Sequence, residues 1–331
     1  LNIKNMAHNI EIINGEASMF YYGDKPWHGL GQQLENPATS KEAIQAAKLD
    51  WEVEKKQIYL ENIIPVKNKF ATVRKDRPET VLGIVGNSYT PLQNAEAFGF
   101  FDSIVGEGQA VYHTAGSLLE GKLVWILAKL PGVIRVTGED ITEKYLLLSN
   151  SHDGSSTVQI KFTPIRVVCN NTLTMAYGDQ QFLSVYHQRD IKTRLSEVPK
   201  LLNIINTRYT EIDNTLKELV KIQMTDVTLD KYLCDVFPDP TNKRNEKLYE
   251  YELARAKANR EWSKYFFENG VGNNLPGVKG SMWAALNGVT ELIDHKVTKQ
   301  SHDRKLNTVW FGDGAVVKAK AYNRALEFIN K

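Results

Sequence analysis

The sequence predicts an α+β protein, with a mixed or antiparallel sheet body, an inserted helix and an α-helical C-terminal part. Three observations carry that expectation. From Trp51 onward apolar residues recur with a period of two in short β-rich runs, "WEVEKKQIYL", "KFATVRKD" and "TVLGIVG". One helical stripe, Ala97, Phe98, Phe101 and Ile104 in "NAEAFGFFDSIV", is set among them. Beyond Ser196 the apolar spacing is three and four. Strand runs followed by helix runs mark an α+β architecture. Residues 1–190 are therefore expected to form the sheet body with an N-terminal arm, and residues 191–331 a helical region.

The elements follow in order. Residues 1–40 are punctuated by Gly and Pro, with "PWHGLG" at 26–31, where Trp27 reads as an anchor and His28 as a polar contact of a tightly turned arm. Ser40 reads as the N-cap of a helix with Ala43, Ile44 and Ala47 on one face. After the inserted, capped helix at 94–105, strand signals return in "QAVYHTAGSLL", "KLVWILAKL", "KYLLLSN" and "TVQIKFT". Leu202, Ile205, Tyr209, Ile212, Leu216, Leu219 and Ile222 line one long amphipathic helix, with Ser196 as its N-cap and Pro199 in its first turn. "PDPTNKR" is a loop, and "EKLYEYELARAKANREWSKYFFENG" is a helix that stops at Gly270. "GSMWAALNGVTELIDHKV" and "AVVKAKAYNRALEFINK" read as two more.

A chain of 331 residues with 42% apolar and 24% charged residues can bury a large core. No window reaches the roughly 18 consecutive apolar residues of a membrane helix, because Lys129, Pro131 and Arg135 break the best one. No membrane partner is expected. The two cysteines, Cys169 and Cys234, form no disulfide framework, and the opening residues lack the layout of a signal peptide. A reducing, cytoplasmic location is expected. Residues 238–331 carry 16 Lys plus Arg against 11 Asp plus Glu, a net +5, while the rest of the chain is at −3. That suits a polyanion partner, and equally a solvated helical face.

Several chemistries lack their motifs. There is no phosphate-binding G-x-x-x-x-G-K-[ST], no complete dinucleotide fingerprint, no C-x-x-C and no H-E-x-x-H. His295 and His302 stand seven residues apart, about 10.5 Å on a straight helix, too far for one ion. No cofactor and no metal are expected.

The densest group of functional residue types is "HDGSSTVQIKFTPIRVVCNNTL", 152–173. It reads as a hairpin in which Asp153 and Gly154 supply the turn, followed by a strand with Val158, Ile160 and Phe162 on its core face. Gln159, Lys161 and Thr163 share the other face, which continues towards Arg166 as a place for a ligand. Pro164 interrupts the ladder. Asn170 or Asn171 then caps a helix beginning "TLTMAY". Cys169 at that helix start is a candidate nucleophile, with His152 as a candidate base. If residues 157–169 run extended they span roughly 40 Å, which separates the pair, and a small buried hydrophobe explains Cys169 as well.

A binding reading uses Lys161, Arg166, Arg189, Lys192 and Arg194, with Tyr186 and His187 among them. A second group interleaves Arg255, Lys257, Arg260 and Lys264 with Trp262 and Tyr265. Cations neutralise phosphates while aromatic rings stack on bases.

"MAHNIEI" with "KPWHGLG", then "LGIVGNSYTPLQNAEAF", "TAGSLLEGKLVWILAKLP", "SHDGSSTVQIKFTPIRVVCNNTLTMA" and "WAALNGVTELIDH" resemble, in order, the phage/plasmid-like family called domain of unknown function 932. The resemblance implies cargo of phages, plasmids or conjugative elements, and with it roles in mobile DNA, recombination or counter-defence. It supplies no catalytic residue. The leading expectation is a homo-oligomeric accessory protein, without an enzymatic cycle, that binds single-stranded or remodelled DNA. A sharper version is a strand-annealing protein whose sheet and helix present a basic groove in a ring. The alternatives are a Cys169-dependent hydrolase or transferase, and a protein that blocks a host defence factor.

Overall fold

The computed structural model describes residues 10–23, 29–61, 63–105, 110–166, 171–172, 183–188, 191, 202–296 and 312–329. Its architecture is α+β, with antiparallel and mixed sheets followed by helices. The chain divides into two units.

The first unit takes the chain to Pro131, together with 145–162 and 181–205. It opens with the short hairpin β1 (Ile12–Ile13) and β2 (Glu16–Ala17), then β3 (Met19–Tyr22) and β4 (Gln32–Leu34), which are parallel to each other. Helix α1 (Ser40–Ala46) starts one residue earlier than the sequence suggests. Thr39, not Ser40, is its N-cap: the Thr39 hydroxyl accepts the Glu42 N–H at 3.3 Å, and the Glu42 carboxylate accepts the Thr39 N–H at 2.9 Å.

Strands β5 (Val53–Leu60), β6 (Ile64–Arg74) and β7 (Val81–Gly86) form a separate three-stranded antiparallel sheet. Helix α2 (Asn94–Val105) follows. Its start is pinned by side chains: the Gln93 amide both donates to and accepts from the Val53 backbone, and the Asn94 amide donates to Leu49 O at 3.0 Å. The larger sheet resumes with β8 (Val111–Leu118) and the long strands β9 (Leu123–Thr137) and β10 (Asp140–Ser151). Next come β11 (Val158–Phe162), β12 (Ile165–Arg166), β13 (Asn171–Thr172) and β14 (Leu183–Val185). In the first unit the order is β4–β3–β8–β9–β10–β11–β14. Phe20, Tyr112, Trp125, Ile126, Leu146, Leu148 and Ile160 are buried there, as are Phe98 and Phe101 of α2.

The second unit takes 132–144, 163–180 and the chain from Asn206. There β12 pairs with β10 and β13 with β12. This corrects one expectation: Asn171 and Thr172 form a strand opposite Arg166 and Ile165, so no helix begins at Thr172 and Asn171 caps none. Asn170 lies outside the described residues.

The long amphipathic helix is α3 (Leu202–Lys221), with Tyr209, Ile212, Leu216 and Leu219 buried. It stops before Gln223, which bridges to Ser281, and a separate helix α4 (Asp226–Val236) begins from a Thr225–Thr228 capping box. Helix α5 (Glu246–Asn269) ends at Gly270, whose backbone is extended (φ −64°) rather than left-handed. A side chain there would meet the Phe266 carbonyl, and its Cβ would lie 2.6 Å from Glu291 Oε2. Helix α6 (Met282–Glu291) is buried on every side, continues as a π-helical turn at Leu292–Lys296, and is followed by α7 (Asp313–Leu326). The Trp283 indole N–H donates to Asp140 Oδ2 at 2.7 Å, and the buried Lys318 and Asp294 pair at 2.8 Å. No helix among the described residues is long and apolar enough to cross a membrane.

Candidate functional site

The 152–155 segment closes β10 with a turn built from its own side chains. Asp153 Oδ1 accepts the Ser155 N–H at 2.8 Å and the Ser151 hydroxyl at 2.6 Å. Gly154 has φ +77°, which glycine adopts without a Cβ penalty. Burial opposes ionisation of Asp153, but the hydrogen bonds from Ser151 and Ser155 hold its carboxyl below the usual range. The turn lies against β7: a Cβ on Gly83 would be 2.5 Å from Asp153 Cα, and one on Gly154 would be 2.9 Å from Val85 Cγ1. The Tyr89 hydroxyl donates to Ser151 O at 2.8 Å, and the His152 N–H donates to Lys122 O at 2.8 Å. The motif therefore fastens the end of β10 to the small sheet.

Behind the turn sits a buried polar node. His152 is fully buried, its Nε2 is 3.0 Å from Asn94 Oδ1, and Trp51 packs against its ring in a T-shape at 5.2 Å. The Asn94 amide nitrogen donates to Leu49 O, so its oxygen faces the imidazole Nε2, which Asn150 Nδ2 also approaches at 3.4 Å. Asn150 Nδ2 donates to Leu92 O at 2.9 Å. His187 stacks on Tyr89 at 4.6 Å, with Nδ1 3.3 Å from Thr90 O. Burial pushes the His152 imidazole down to about 3, with His187 acting in the same direction. Burial likewise pushes His187 down to about 4. Both rings are neutral near pH 7, and His152 Nδ1 and His187 Nε2 have no hydrogen-bond partner among the described residues. The Arg74 guanidinium also packs on Trp51, 4.2 Å from the indole. It binds Asp76 through Nε (2.9 Å) and Nη2 (2.6 Å), and Glu11 through Nη1 (2.5 Å). The Arg74 hydrogen bond holds Asp76 below the usual carboxylate range.

The node is buried, and among the described residues a group of exposed apolar and cationic side chains lies on the small sheet's other side. Cross-strand register puts Val53, Thr72, Arg74 and Val85 on the inner face, and Lys56, Lys69 and Ile84 on the outer one, together with the buried Ala71 and Val73. Ile84 is 57% exposed there. Beyond a β-bulge at Gln57, whose amide donates to Val66 O at 2.8 Å, the β5–β6 hairpin ends in an apolar tip. Tyr59, Leu60 and Ile64 are more than half exposed, and Ile63 is 78% exposed. Lys67 and Lys69 stand exposed beside the tip, in no ion pair among the described residues, and Lys56 reaches only the exposed Glu54 at 3.1 Å. Sequence reasoning missed this surface. The signal was present in "YLENIIPVKNKF", which holds more apolar residues than a two-faced strand needs, next to a Lys-Asn-Lys.

The residues singled out from sequence are scattered. Lys161 is half-buried on β11, and burial lowers its pKa. Arg166 is in β12, opposite Thr142. Trp27, His28, Cys169, Arg189, Lys192 and Arg194 lie outside the described residues. Arg255 and Lys257 are exposed on α5. Arg260 and Lys264 are engaged: Arg260 donates to Phe237 O and pairs with Asp239 at 2.7 Å, and Lys264 pairs with Asp230 at 2.5 Å. No group of three metal-ligating side chains occurs among the described residues.

Comparison with curated proteins and with solved structures finds no match. The family model described as a domain of unknown function (DUF932) matches residues 81–310. That span begins at β7, takes in the turn that locks onto it, and covers well over half of the chain, so the protein belongs to the DUF932 family.

Proposed function

We propose that the protein is an accessory protein of mobile DNA that binds single-stranded DNA, without a catalytic cycle of its own, on the outer face and tip of the β5–β6–β7 sheet. The carrying observation is the tip: four exposed apolar or aromatic side chains with lysines beside them, on the β5–β6 hairpin. Base stacking on an aromatic side chain contributes about 1–3 kcal/mol per base, and every base offers a π-face, so such a surface is tolerant of sequence. Lys56, Lys67 and Lys69 supply the phosphate contacts. In the sharper form of this reading the protein anneals strands as a homo-oligomer.

The test is fluorescence anisotropy of a labelled oligonucleotide with the parent, with Tyr59→Ala, and with Lys56→Glu/Lys67→Glu/Lys69→Glu. All of these positions are exposed, so folding is expected to be preserved. Neutralising three phosphates on a single strand gives a slope of about −2 in log K against log salt. The triple variant is expected to lose that slope, and Tyr59→Ala to weaken binding at least fivefold. Binding unchanged in both variants refutes the proposal.

A further inference from the structure

Helix α5 carries a second apolar surface besides the one that packs on α6. Ala256, Ser263 and Gly270 face inward, where Gly288 of α6 leaves room for the Ser263 backbone. On the outer side Leu248, Tyr251, Trp262 and Tyr265 are 51%, 64%, 40% and 52% exposed. Arg255 and Ala258, also exposed, complete the row. The steps along it alternate between three and four residues, the seam of a two-stranded coiled coil. Trp262 and Tyr265 stack edge to face at 5.5 Å, which stiffens one end, and Lys296 lies over the Trp262 ring.

We infer that this seam pairs with the same seam of a second copy, α5 running antiparallel to α5 about a two-fold axis between Arg255 and Ala258. The alternating steps read the same in both directions, so antiparallel pairing sets Leu248 against Tyr265, Tyr251 against Trp262, and the long Arg255 against the small Ala258. It also brings Lys247 opposite Glu268, and Glu261 beside Arg255. All four of these charged residues are exposed, and none is in an ion pair among the described residues. Parallel pairing instead sets Arg255 against Arg255. The charge pattern thus selects a copy of this chain, in one direction.

The four large side chains offer roughly 400 Å² per copy, about 800 Å² for the pair. That is below the roughly 1,000 Å² a stable specific interface needs and in the range of weak, transient contacts, so the dimer is weak and depends on concentration.

The experiment is sedimentation velocity across a concentration series, with parent, Tyr251→Asp, Lys247→Glu, Glu268→Lys and the double charge swap. Thermal melts check that the exposed substitutions leave the fold intact. A monomer–dimer equilibrium is expected, abolished by Tyr251→Asp. Each single charge reversal is expected to weaken it about threefold to tenfold, and the double swap to restore it. A monomer at every concentration overturns the inference. So does a dimer indifferent to Tyr251→Asp, or a double swap no better than the singles. Loss of oligonucleotide binding in Tyr251→Asp without change in the dimer also overturns it, and assigns the seam to nucleic acid.

Discussion

Gly83→Ala isolates what the 152–155 turn does. Gly83 is not left-handed, so alanine brings no backbone strain, and the whole effect is steric. The new Cβ would be 2.5 Å from Asp153 Cα and 2.7 Å from its carbonyl carbon. These are backbone atoms of a turn tied down by Ser155, Tyr89 and Lys122, so no side chain can swing away. Reaching ordinary contact at about 3.4 Å requires a shift near 1 Å, enough to weaken two or three hydrogen bonds at about 1 kcal/mol each. The expected cost is on the order of 3 kcal/mol. Gly86→Ala is the control: it is on the same strand, and nothing lies within 4 Å of its Cβ. Urea unfolding of the two variants checks this, with Gly86→Ala within about 0.5 kcal/mol of the parent. A Gly83→Ala protein as stable as Gly86→Ala refutes the packing of the turn on β7.

Two further outcomes follow from the buried node. His152 and His187 have folded pKa values of about 3 and about 4, below the unfolded value near 6.5. Their neutral forms therefore stabilise the fold fully above pH 6.5, and that contribution is lost as pH falls towards the folded values. From pH 7 to pH 5 each loses about 2 kcal/mol, so the urea midpoint drops steeply over a range where ordinary carboxylates have barely titrated; a flat midpoint contradicts the node. Arg74→Met removes the buried guanidinium from Glu11, leaving it only the more exposed Arg77 at 3.2 Å, and is expected to cost on the order of 3 kcal/mol in the same assay.

The strands were legible because their cores are periodic: Val158, Ile160 and Phe162 alternate along β11, and all three are buried. The helical region was legible for the same reason. Helix α4 was not, since nothing in "TDVTLDKYLCDVF" reads as an element on its own, and the turn before it is held by the distant pairing of Gln223 with Ser281. Asn171 misled in the same way: an asparagine before Thr-Leu reads as a cap until a distant strand claims it. The turn chemistry of Asp153 and Gly154 could be read locally, whereas the contacts of Arg74 with Glu11 and of His152 with Asn94 join residues 63 and 58 apart. The hairpin tip was overlooked because its apolar residues look like core until their exposure is known.

The most direct measurement of the central claim is anisotropy of a labelled single strand and of the matching duplex, each at low and at moderate salt. The account predicts tighter binding of the single strand, and weakening with salt at the slope set by three phosphate contacts. No binding of either oligonucleotide at low salt, or tighter binding of the duplex, contradicts it.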